Sequence, residues 1–380
     1  MVLSTDPVRF PLTGIGRYTY ELARGLQQAP LGDLHFMNAG RLSRNLPTVP
    51  EAQPHSRGPW LRRLLQGQDW ALRLHGLLHA QRQARAMSEL PDHVFHSPNF
   101  YLPPTPGPGV VTLHDLSCHE WAHCHPPQRV RHMQREIAQS LKRAKVLITV
   151  SECMRVDIAR FFAWPLERVV ATPLAAASAF HPREPAQLQQ PLQAMGLAPG
   201  GYALYVGTIE PRKNLDRLIQ AYARLPERLR QRWPLVLAGY VGWNSERLHA
   251  QIQAAQAQGW LHYLGFVPQD RLPVLMAGAR LFVFPSLYEG FGLPVLEAMA
   301  SGVPVVSSTA SSLPEVCGDA ALMHDPQDDE MLLAHLKKGL EDEVWREQAR
   351  ARGLVQAGRF SWARCTEQTL AAYRLAQELA

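Results

Sequence analysis

Two glutamates, Glu289 and Glu297, lie on either side of a turn that contains two glycines. The apolar strand predicted at 281–284 leads into this turn, and Pro294 suits the first turn of a helix, where its missing N–H leaves no hydrogen bond unmade. Free N–H groups at a helix start bind anions, and a carboxylate on either side accepts hydrogen bonds from hydroxyl groups. The segment therefore predicts a site for a phosphorylated, hydroxyl-rich ligand. A surface helix with acidic residues near its positive end is the alternative, but it does not explain the glycines.

A pair of cations, Arg212 and Lys213, follows the strand predicted at 202–206 and the turn residue Gly207. Cations at the start of the helix predicted from Asn214 oppose its dipole and destabilise it unless an anion is bound there. Lys213 is one of only five lysines among the 39 basic residues. We therefore predict that Arg212 and Lys213 clamp a diphosphate; a solvated basic turn is the alternative.

A histidine, His114, follows the strand predicted at 110–113 and is itself followed by an aspartate. Ligands of open α/β sheets bind at the carboxyl ends of the strands, so we expect the ring of His114 in a ligand cleft. A structural histidine held by a backbone group is the alternative interpretation.

The segment His119-Glu-Trp-Ala-His123 matches the HExxH pattern of zinc hydrolases. That pattern needs a helix that presents both histidines on one face. Two consecutive prolines begin three residues after His123 and limit any helix here. We therefore keep zinc hydrolysis only as a remote alternative and predict no metal site.

The elements that carry these motifs alternate between short apolar strands and helices. The alternation is regular in the second half of the chain and less clear in the first, and it predicts parallel sheets covered on both faces. The segment 180–199 holds four prolines among mostly polar residues and is predicted to be a linker. The sequence therefore predicts an α/β protein with two Rossmann-like, doubly wound domains, 1–182 and 183–362, facing a cleft, and a tail helix within 363–380.

The composition of the 380 residues limits the classes of partner that the protein is expected to bind. The formal net charge of +6 is too small to indicate nucleic acid, and five cysteines without a CxxC pair indicate a reduced, cytoplasmic protein. No apolar run is long enough to predict a membrane span, and the first residues do not resemble a signal peptide. A basic amphipathic stretch at 57–85 predicts peripheral contact with an anionic membrane; a helix packed on the first domain is the alternative.

These motifs together resemble the retaining glycosyltransferases of family 4, which have the GT-B fold. Segment 289–297 resembles the paired-glutamate motif of that family, and 210–214 resembles its donor-phosphate motif. Segment 13–18 resembles its N-terminal glycine loop, and 360–362 resembles the segment before a tail helix that crosses back to the first domain. The resemblance covers nearly the whole chain and implies that the first domain binds the acceptor and the second binds the nucleotide sugar.

The resemblance also implies a role for each motif residue. Arg212 and Lys213 are expected to hold the donor diphosphate, Glu289 to bind the hydroxyls of the transferred sugar, and His114 to lie beside that sugar. Glu297 is expected to bind the ribose hydroxyls. The donor-binding residues implied in all are Gly14, Gly16, Gly207, Phe266, Val267, Gly292, Leu293 and Glu297, with Phe266 and Val267 bordering the base.

The function implied is that of a retaining, metal-independent hexosyltransferase with a nucleotide-sugar substrate and no cofactor. The loop from His114 to a second histidine, His125, resembles the subgroup that uses GDP-mannose or GDP-rhamnose. The expected acceptor is a lipid-linked or growing saccharide in lipopolysaccharide or exopolysaccharide synthesis, at the inner face of the cytoplasmic membrane. A UDP-sugar donor, and a sugar-binding regulator without catalysis, are the alternatives.

Overall fold

The first sheet forms from the amino-terminal part of the chain in a computed structural model that describes residues 1–12, 14–47 and 81–380. Its strands are β1 (Val2–Ser4), β2 (His35–Asn38), β3 (Arg41–Ser43), β4 (Phe95–Ser97), β5 (Gly109–Leu113), β6 (Ala144–Thr149) and β7 (Val169–Ala171). Within the described residues their order is β3-β2-β1-β4-β5-β6-β7, and all neighbours are parallel except β2 and β3. The order reverses next to β1, as in doubly wound folds.

The second sheet forms from the carboxyl-terminal part and is parallel throughout. Its strands are β8 (Ala203–Val206), β9 (Leu235–Ala238), β10 (Leu261–Gly265), β11 (Leu281–Phe284), β12 (Val305–Ser308) and β13 (Ala321–His324). Their order is β10-β9-β8-β11-β12-β13, which again reverses, here between β8 and β11. The predicted α/β class with two Rossmann-like sheets is therefore confirmed.

Helices connect the strands and cover the sheets. Those with both ends in the described ranges are α1 (Gly14–Gln28), α2 (Ser117–Glu120), α3 (Pro127–Arg143), α4 (Glu152–Phe161), α5 (Pro185–Gln193), α6 (Leu215–Ala223), α7 (Glu227–Arg232), α8 (Glu246–Ala257), α9 (Leu272–Ala277), α10 (Leu293–Ala300), α11 (Leu313–Cys317), α12 (Asp329–Glu341), α13 (Glu343–Ala357) and α14 (Trp362–Glu378). Residues 81–88 are also helical.

Both faces of the first sheet are buried, which explains why its central strands are apolar at consecutive positions. Val110 packs into one hydrophobic cluster and Val111 into the other, because successive side chains of a strand point to opposite faces. Val146 and Leu147 alternate in the same way. The cluster that holds Val110 continues into the second sheet, so the two sheets share one continuous core.

Two sequence-based predictions of local structure are wrong. Segment 180–199 is not an open linker, because α5 lies within it. Glu184 and Gln187 form a capping box at the start of α5, and Leu188 and Leu192 pack into the core. The glycines of segment 13–18 do not form a loop either, since α1 begins at Gly14. Helical periodicity from Tyr18 onward overrides the weak helix propensity of the two glycines.

The tail helix α14 packs on the first sheet, against α1 and the strands β5, β6 and β7. Ser361 caps its start by accepting a hydrogen bond from the Arg364 N–H at 3.2 Å. Further along, the Tyr373 hydroxyl lies 2.7 Å from Nδ1 of His96, a fully buried residue of β4. The predicted return of the chain to the first sheet is therefore confirmed.

The carboxyl edges of the two sheets face each other and are in direct contact. The Ser151 hydroxyl donates to the Gly290 carbonyl at 2.8 Å, and the Leu116 N–H donates to the Tyr288 hydroxyl at 3.1 Å. Glu315 accepts hydrogen bonds from the first N–H groups of α4, at 3.0 and 3.1 Å, and so caps a helix of the first domain from the second. These contacts hold the cleft closed.

Candidate active site

The central residues of the site lie on two loops, 207–214 after β8 and 285–292 after β11. These strands are neighbours in the sheet although two strands separate them in the sequence. The carboxyl ends of neighbouring parallel strands meet at one edge, so the loops touch. The Leu287 N–H donates to the Arg212 carbonyl at 2.9 Å, and the Asn214 side chain donates to the Pro285 carbonyl at 3.0 Å.

The structure brings Arg212, Lys213 and Glu289 together. Lys213 Nζ lies 2.6 Å from Glu289 Oε1, and Arg212 Nη1 lies 3.3 Å from Glu289 Oε2. Arg212 Nη2 also pairs with Glu210 Oε1 at 2.9 Å, and Nη1 donates to the Tyr288 carbonyl. Each of the four charged residues is more than nine-tenths buried. The two cations therefore form a compact clamp with built-in carboxylate partners.

The two cations do not lie at the start of an α-helix, and that part of the sequence argument is wrong. Pro211–Lys213 is a 3₁₀ turn, Asn214 has a left-handed conformation with φ 58°, and α6 begins only at Leu215. The positive charges of Arg212 and Lys213 are paired with the carboxylates of Glu210 and Glu289.

The opposite charges of the clamp keep each other ionised. Burial disfavours the charge of Arg212, but Glu289, Asp115 and Glu210 outweigh it and raise the Arg212 pKa above its usual range. Burial by itself raises the pKa of Glu289, but Lys213 and Arg212 outweigh it, so that the Glu289 pKa is lowered. Both partners are therefore ionised at neutral pH.

The loop that carries Glu289 is held by two serines. The Ser311 hydroxyl bonds both the N–H of Glu289 at 2.8 Å and its carbonyl at 2.7 Å, and the Ser312 hydroxyl donates to the same carbonyl at 2.9 Å. Ser312 also lies 3.0 Å from the Phe291 carbonyl. The backbone on both sides of Glu289 is therefore fixed, as a pre-organised site requires.

His114 occupies the predicted strand end and is 9% exposed. Its Nε2 lies 2.8 Å from the Pro98 carbonyl, which only accepts, so Nε2 carries the proton. Tyr18 and Phe100 pack edge-on against the ring. Burial is the largest cause of a lowered His114 pKa, and the ring is neutral at pH 7. Its other nitrogen, Nδ1, is then a hydrogen-bond acceptor. The backbone contact does not exclude a role toward a ligand.

Glu297 is 4% exposed on α10 and faces Arg17 of α1, whose Nη1 lies 3.6 Å from Glu297 Oε1. Burial raises the pKa of Glu297 to about 7, and Arg17 opposes this rise only in part. The pair joins the two domains across the cleft. Arg17 lies within the segment 13–18, but nothing in the local sequence pattern predicts an ion pair with a residue 280 positions away.

We expect Glu297→Gln to stabilise the protein at pH 8 and not at pH 5. An acid whose pKa is raised in the folded state, from its usual 4.5 to about 7, binds a proton that the unfolded chain has lost. Its contribution to stability is therefore lost as pH rises from 4.5 to 7, by up to about 3 kcal/mol. Calorimetric Tm values of wild type and variant, measured across this range, check it. The exposed Glu347→Gln is the control, and a Tm difference independent of pH would contradict the prediction.

The predicted donor-binding glycines differ in their surroundings. Gly292 has φ 103° and occupies the N-cap of α10, directly before Leu293, so its conformation favours glycine. A side chain at Gly207 would meet the Tyr205 hydroxyl at 2.4 Å, and one at Gly16 would meet the Pro7 carbonyl at 2.8 Å. At the predicted donor-binding Gly14, no atom of the described residues outside its chain neighbours and its own helix backbone lies within 4 Å of such a carbon.

An aromatic pair marks the position predicted to border the base. Phe266 follows β10 and stacks on Tyr240, which follows β9, with ring centroids 4.5 Å apart and an interplanar angle of 17°. The two rings are 39% and 45% exposed, whereas Val267 is buried. Tyr240 was not predicted, because it lies in the loop of a different strand.

The HExxH pattern does not form a zinc site. Helix α2 ends at Glu120, and His123 belongs to a separate 3₁₀ turn, Ala122–Cys124. The His119 ring packs against Phe161 and Phe162. Within the ranges that the structure describes, a group of three side chains spaced to hold a metal occurs only at Asp33, His35 and His93, in another part of the first domain.

The predicted membrane-binding stretch at 57–85 lies largely outside the described residues, and so does Thr13 of the glycine motif. In the part of the chain that the structure describes, no helix combines the length and apolar character needed to cross a membrane.

Comparison with known proteins agrees with this geometry. The family model of the group 1 glycosyl transferases matches residues 199–355, which include both loops of the clamp. The O-antigen chain mannosyltransferase B of Escherichia coli is 45% identical over 381 residues, which cover 99% of each chain. The chain belongs to the group 1 glycosyl transferases. The predicted family is thereby confirmed, and the clamp lies in the region that defines it.

Solved structures of glycosyl transferases confirm the GT-B fold. Sucrose-phosphate synthase from Thermosynechococcus elongatus superimposes with a TM-score of 0.72 at 20% identity, over 98% of both chains. WaaG, a glycosyltransferase involved in lipopolysaccharide biosynthesis, gives 0.71 at 18% identity, over 98% of this chain and 99% of its own. At these identities the likeness concerns the architecture of two domains and a cleft.

Proposed function

We propose that this glycosyl transferase moves a mannosyl group from a nucleotide diphosphate sugar to a growing, lipid-linked O-antigen saccharide. The observation that carries the proposal is the full-length relation to an O-antigen chain mannosyltransferase, 45% identical over 99% of both chains. A buried clamp of two cations at the cleft supports it, because it suits a diphosphate leaving group. GDP-mannose is the proposed donor, and a UDP-sugar is the alternative.

Arg212 and Lys213 are proposed to stabilise the leaving diphosphate. Negative charge grows on that group as the anomeric C–O bond breaks, and preorganised cations in a closed, buried site lower the barrier. Lys213 presents an ammonium group and Arg212 a planar guanidinium, so that together they reach several phosphate oxygens. Two fixed cations supply the charge that a divalent metal provides in other transferases, so we propose a metal-independent reaction without a further cofactor.

Glu289 and His114 are proposed to orient the transferred sugar rather than to attack it. The carboxylate of Glu289 accepts from both Lys213 and Arg212, which lowers its pKa and weakens it as a nucleophile. Freed from one cation by the entering diphosphate, it can accept hydrogen bonds from sugar hydroxyls. Retention of configuration then follows from attack on the same face, with the leaving phosphate taking the acceptor proton. Nδ1 of His114, the acceptor nitrogen of the ring, is proposed to accept a hydrogen bond from a further hydroxyl.

The nucleoside is proposed to lie between Glu297 and the aromatic pair. Glu297 accepts hydrogen bonds from the ribose hydroxyls, and Phe266, stacked on Tyr240, borders the base. The backbone N–H groups at Gly292 and Leu293 begin α10 and lie near sugar and phosphate. The donor thus spans the carboxyl edge of the second sheet.

A transfer assay with the purified full-length chain tests the proposal. GDP-mannose, GDP-rhamnose and UDP-glucose are offered with a lipid-linked mannose-containing acceptor, and the product linkage is read by NMR. We expect transfer from GDP-mannose with the anomeric configuration retained, in the presence of EDTA. Transfer from UDP-glucose alone would replace the proposed donor by the alternative, and an inverted product would overturn the mechanism.

Peripheral membrane association is proposed from the basic stretch at 57–85 and from the lipid-linked acceptor. A vesicle arm of the same experiment adds phosphatidylglycerol liposomes at low salt and follows co-sedimentation. Protein that stays in the supernatant under these conditions would contradict membrane binding and leave the transfer reaction unaffected.

A further inference from the structure

His125 is a buried histidine at the interface of the two domains. It is 6% exposed, and neither ring nitrogen has a hydrogen-bond partner among the residues that the structure describes. Buried polar side-chain atoms nearly always have a partner, because leaving one unpaired is costly. An imidazole with both nitrogens unpaired is therefore expected where a ligand completes the site.

The position of His125 is fixed from the opposite domain. Its ring lies against Trp243 of the loop after β9, with centroids 5.3 Å apart. The Trp243 indole N–H donates to the Cys124 carbonyl at 2.5 Å, and the Arg129 guanidinium lies 4.5 Å over the same indole. The ring is thus held at the interface of the two sheets by a tilted contact with Trp243 at an interplanar angle of 34°, and its two nitrogens have no partner among the described residues.

The loop that carries Trp243 adjoins the clamp, because the Gly242 N–H donates to the Ile209 carbonyl at 2.9 Å, next to Glu210. Burial, followed by the charges of Arg212 and Arg129, lowers the pKa of His125 to about 4, although Asp115 opposes this. The ring is therefore neutral and has one N–H donor and one acceptor nitrogen. Next to Arg212, a neutral donor can add a hydrogen bond to a phosphate oxygen without further cationic charge.

We propose that His125 is a binding residue for the diphosphate of the nucleotide-sugar donor, with its ring N–H on a phosphate oxygen opposite Arg212. His125 approaches this oxygen from the first domain and Arg212 from the second, so the diphosphate ties the two domains together. The inference rests on the proposed donor class. It assigns a role to His125, which ends the loop from His114 to His125 and has no role among the residues predicted from the sequence.

Titration calorimetry with GDP and with guanosine tests His125→Phe, which keeps the aromatic contact with Trp243 and removes both nitrogens. We expect the Kd for GDP to rise about tenfold and the Kd for guanosine to stay unchanged, because guanosine lacks the phosphates. His125→Asn, which restores a donor and an acceptor, should recover part of the GDP affinity.

The matched control is His119→Phe. His119 belongs to the same segment and also has a buried nitrogen without a partner among the described residues, but it packs on Phe161 and Phe162. This variant should bind GDP like wild type. Equal losses for GDP and guanosine in His125→Phe, or no loss for either, would overturn the proposal. A wild-type chain that binds neither GDP nor UDP would instead contradict the proposed function.

Discussion

Replacing Lys213 by methionine is expected to lower kcat/KM for sugar transfer by about 10²–10³-fold, the usual effect of removing one preorganised charge from a transition-state site. The Lys213 ammonium lies 2.6 Å from Glu289 in a buried position, where its charge is little screened. Methionine fills a similar volume, and Arg212 remains as a partner of Glu289. Steady-state kinetics with donor and acceptor measure the effect.

Stability must be separated from chemistry in this experiment, because breaking a buried ion pair can cost about 3–5 kcal/mol. The double variant Lys213→Met with Glu289→Gln removes both charges, and we expect it to regain Tm but not activity. Lys337→Met makes the same chemical change at an exposed lysine and should leave both unchanged. Near-normal transfer by Lys213→Met would show that the clamp is not the leaving-group site.

Gly290→Ala is expected to lower transfer by about 100-fold or more while each domain stays folded. A Cβ at this position would lie 2.0 Å from the His114 carbonyl oxygen and 3.2 Å from the Asp115 side chain, both across the cleft. The first-domain loop must retreat, and a misplacement of about 1 Å at a reaction centre can cost 10²-fold. Transfer kinetics and small-angle scattering measure the loss of activity and the wider cleft.

The control for this substitution is Gly32→Ala, since among the described residues beyond its chain neighbours no atom lies within 4 Å of a Cβ at Gly32. It should retain wild-type kinetics and scattering. GDP affinity should fall less than transfer in Gly290→Ala, because Arg212 and Lys213 both belong to the second domain and stay in place even if the His125 contact from the first domain is lost. Wild-type activity in Gly290→Ala would mean that the enzyme does not react in the closed arrangement.

Local patterns predicted most strands of both sheets and the residues at their carboxyl ends, but not β2, β3, β4 or β13. A buried parallel strand is a short apolar run, and polar residues directly after it lie at the ligand edge, which places Lys213, Glu289 and His114 without knowledge of the fold. The order of the strands within each sheet could not be predicted from the sequence. Lys213 meets Glu289 because β8 and β11 are neighbours, a fact of tertiary packing rather than of the intervening sequence.

Charge partners across the cleft were also missed. Arg17 and Glu297, or Glu315 and the start of α4, are far apart in sequence, and each side chain alone resembles an ordinary surface charge. Glu210 belongs to the motif at 210–214, but the sequence pattern does not predict its ion pair with Arg212. Such pairs depend on the docking of two domains, which hydrophobic periodicity does not encode. Gly14 and Gly16 suggested a loop, but they lie in the first turn of α1, where a helix tolerates glycine.

The return of α14 to the first sheet gives the two domains a second covalent connection. The chain crosses between the domains at 172–184 and again at 358–361, and the two crossings lie side by side, with the Cys365 thiol donating to the Thr172 carbonyl at 3.7 Å. Two adjacent covalent connections act as a hinge with one axis, whereas a single linker would permit rotation in every direction. We therefore expect that a rotation about this axis would both admit the donor and align the reacting groups.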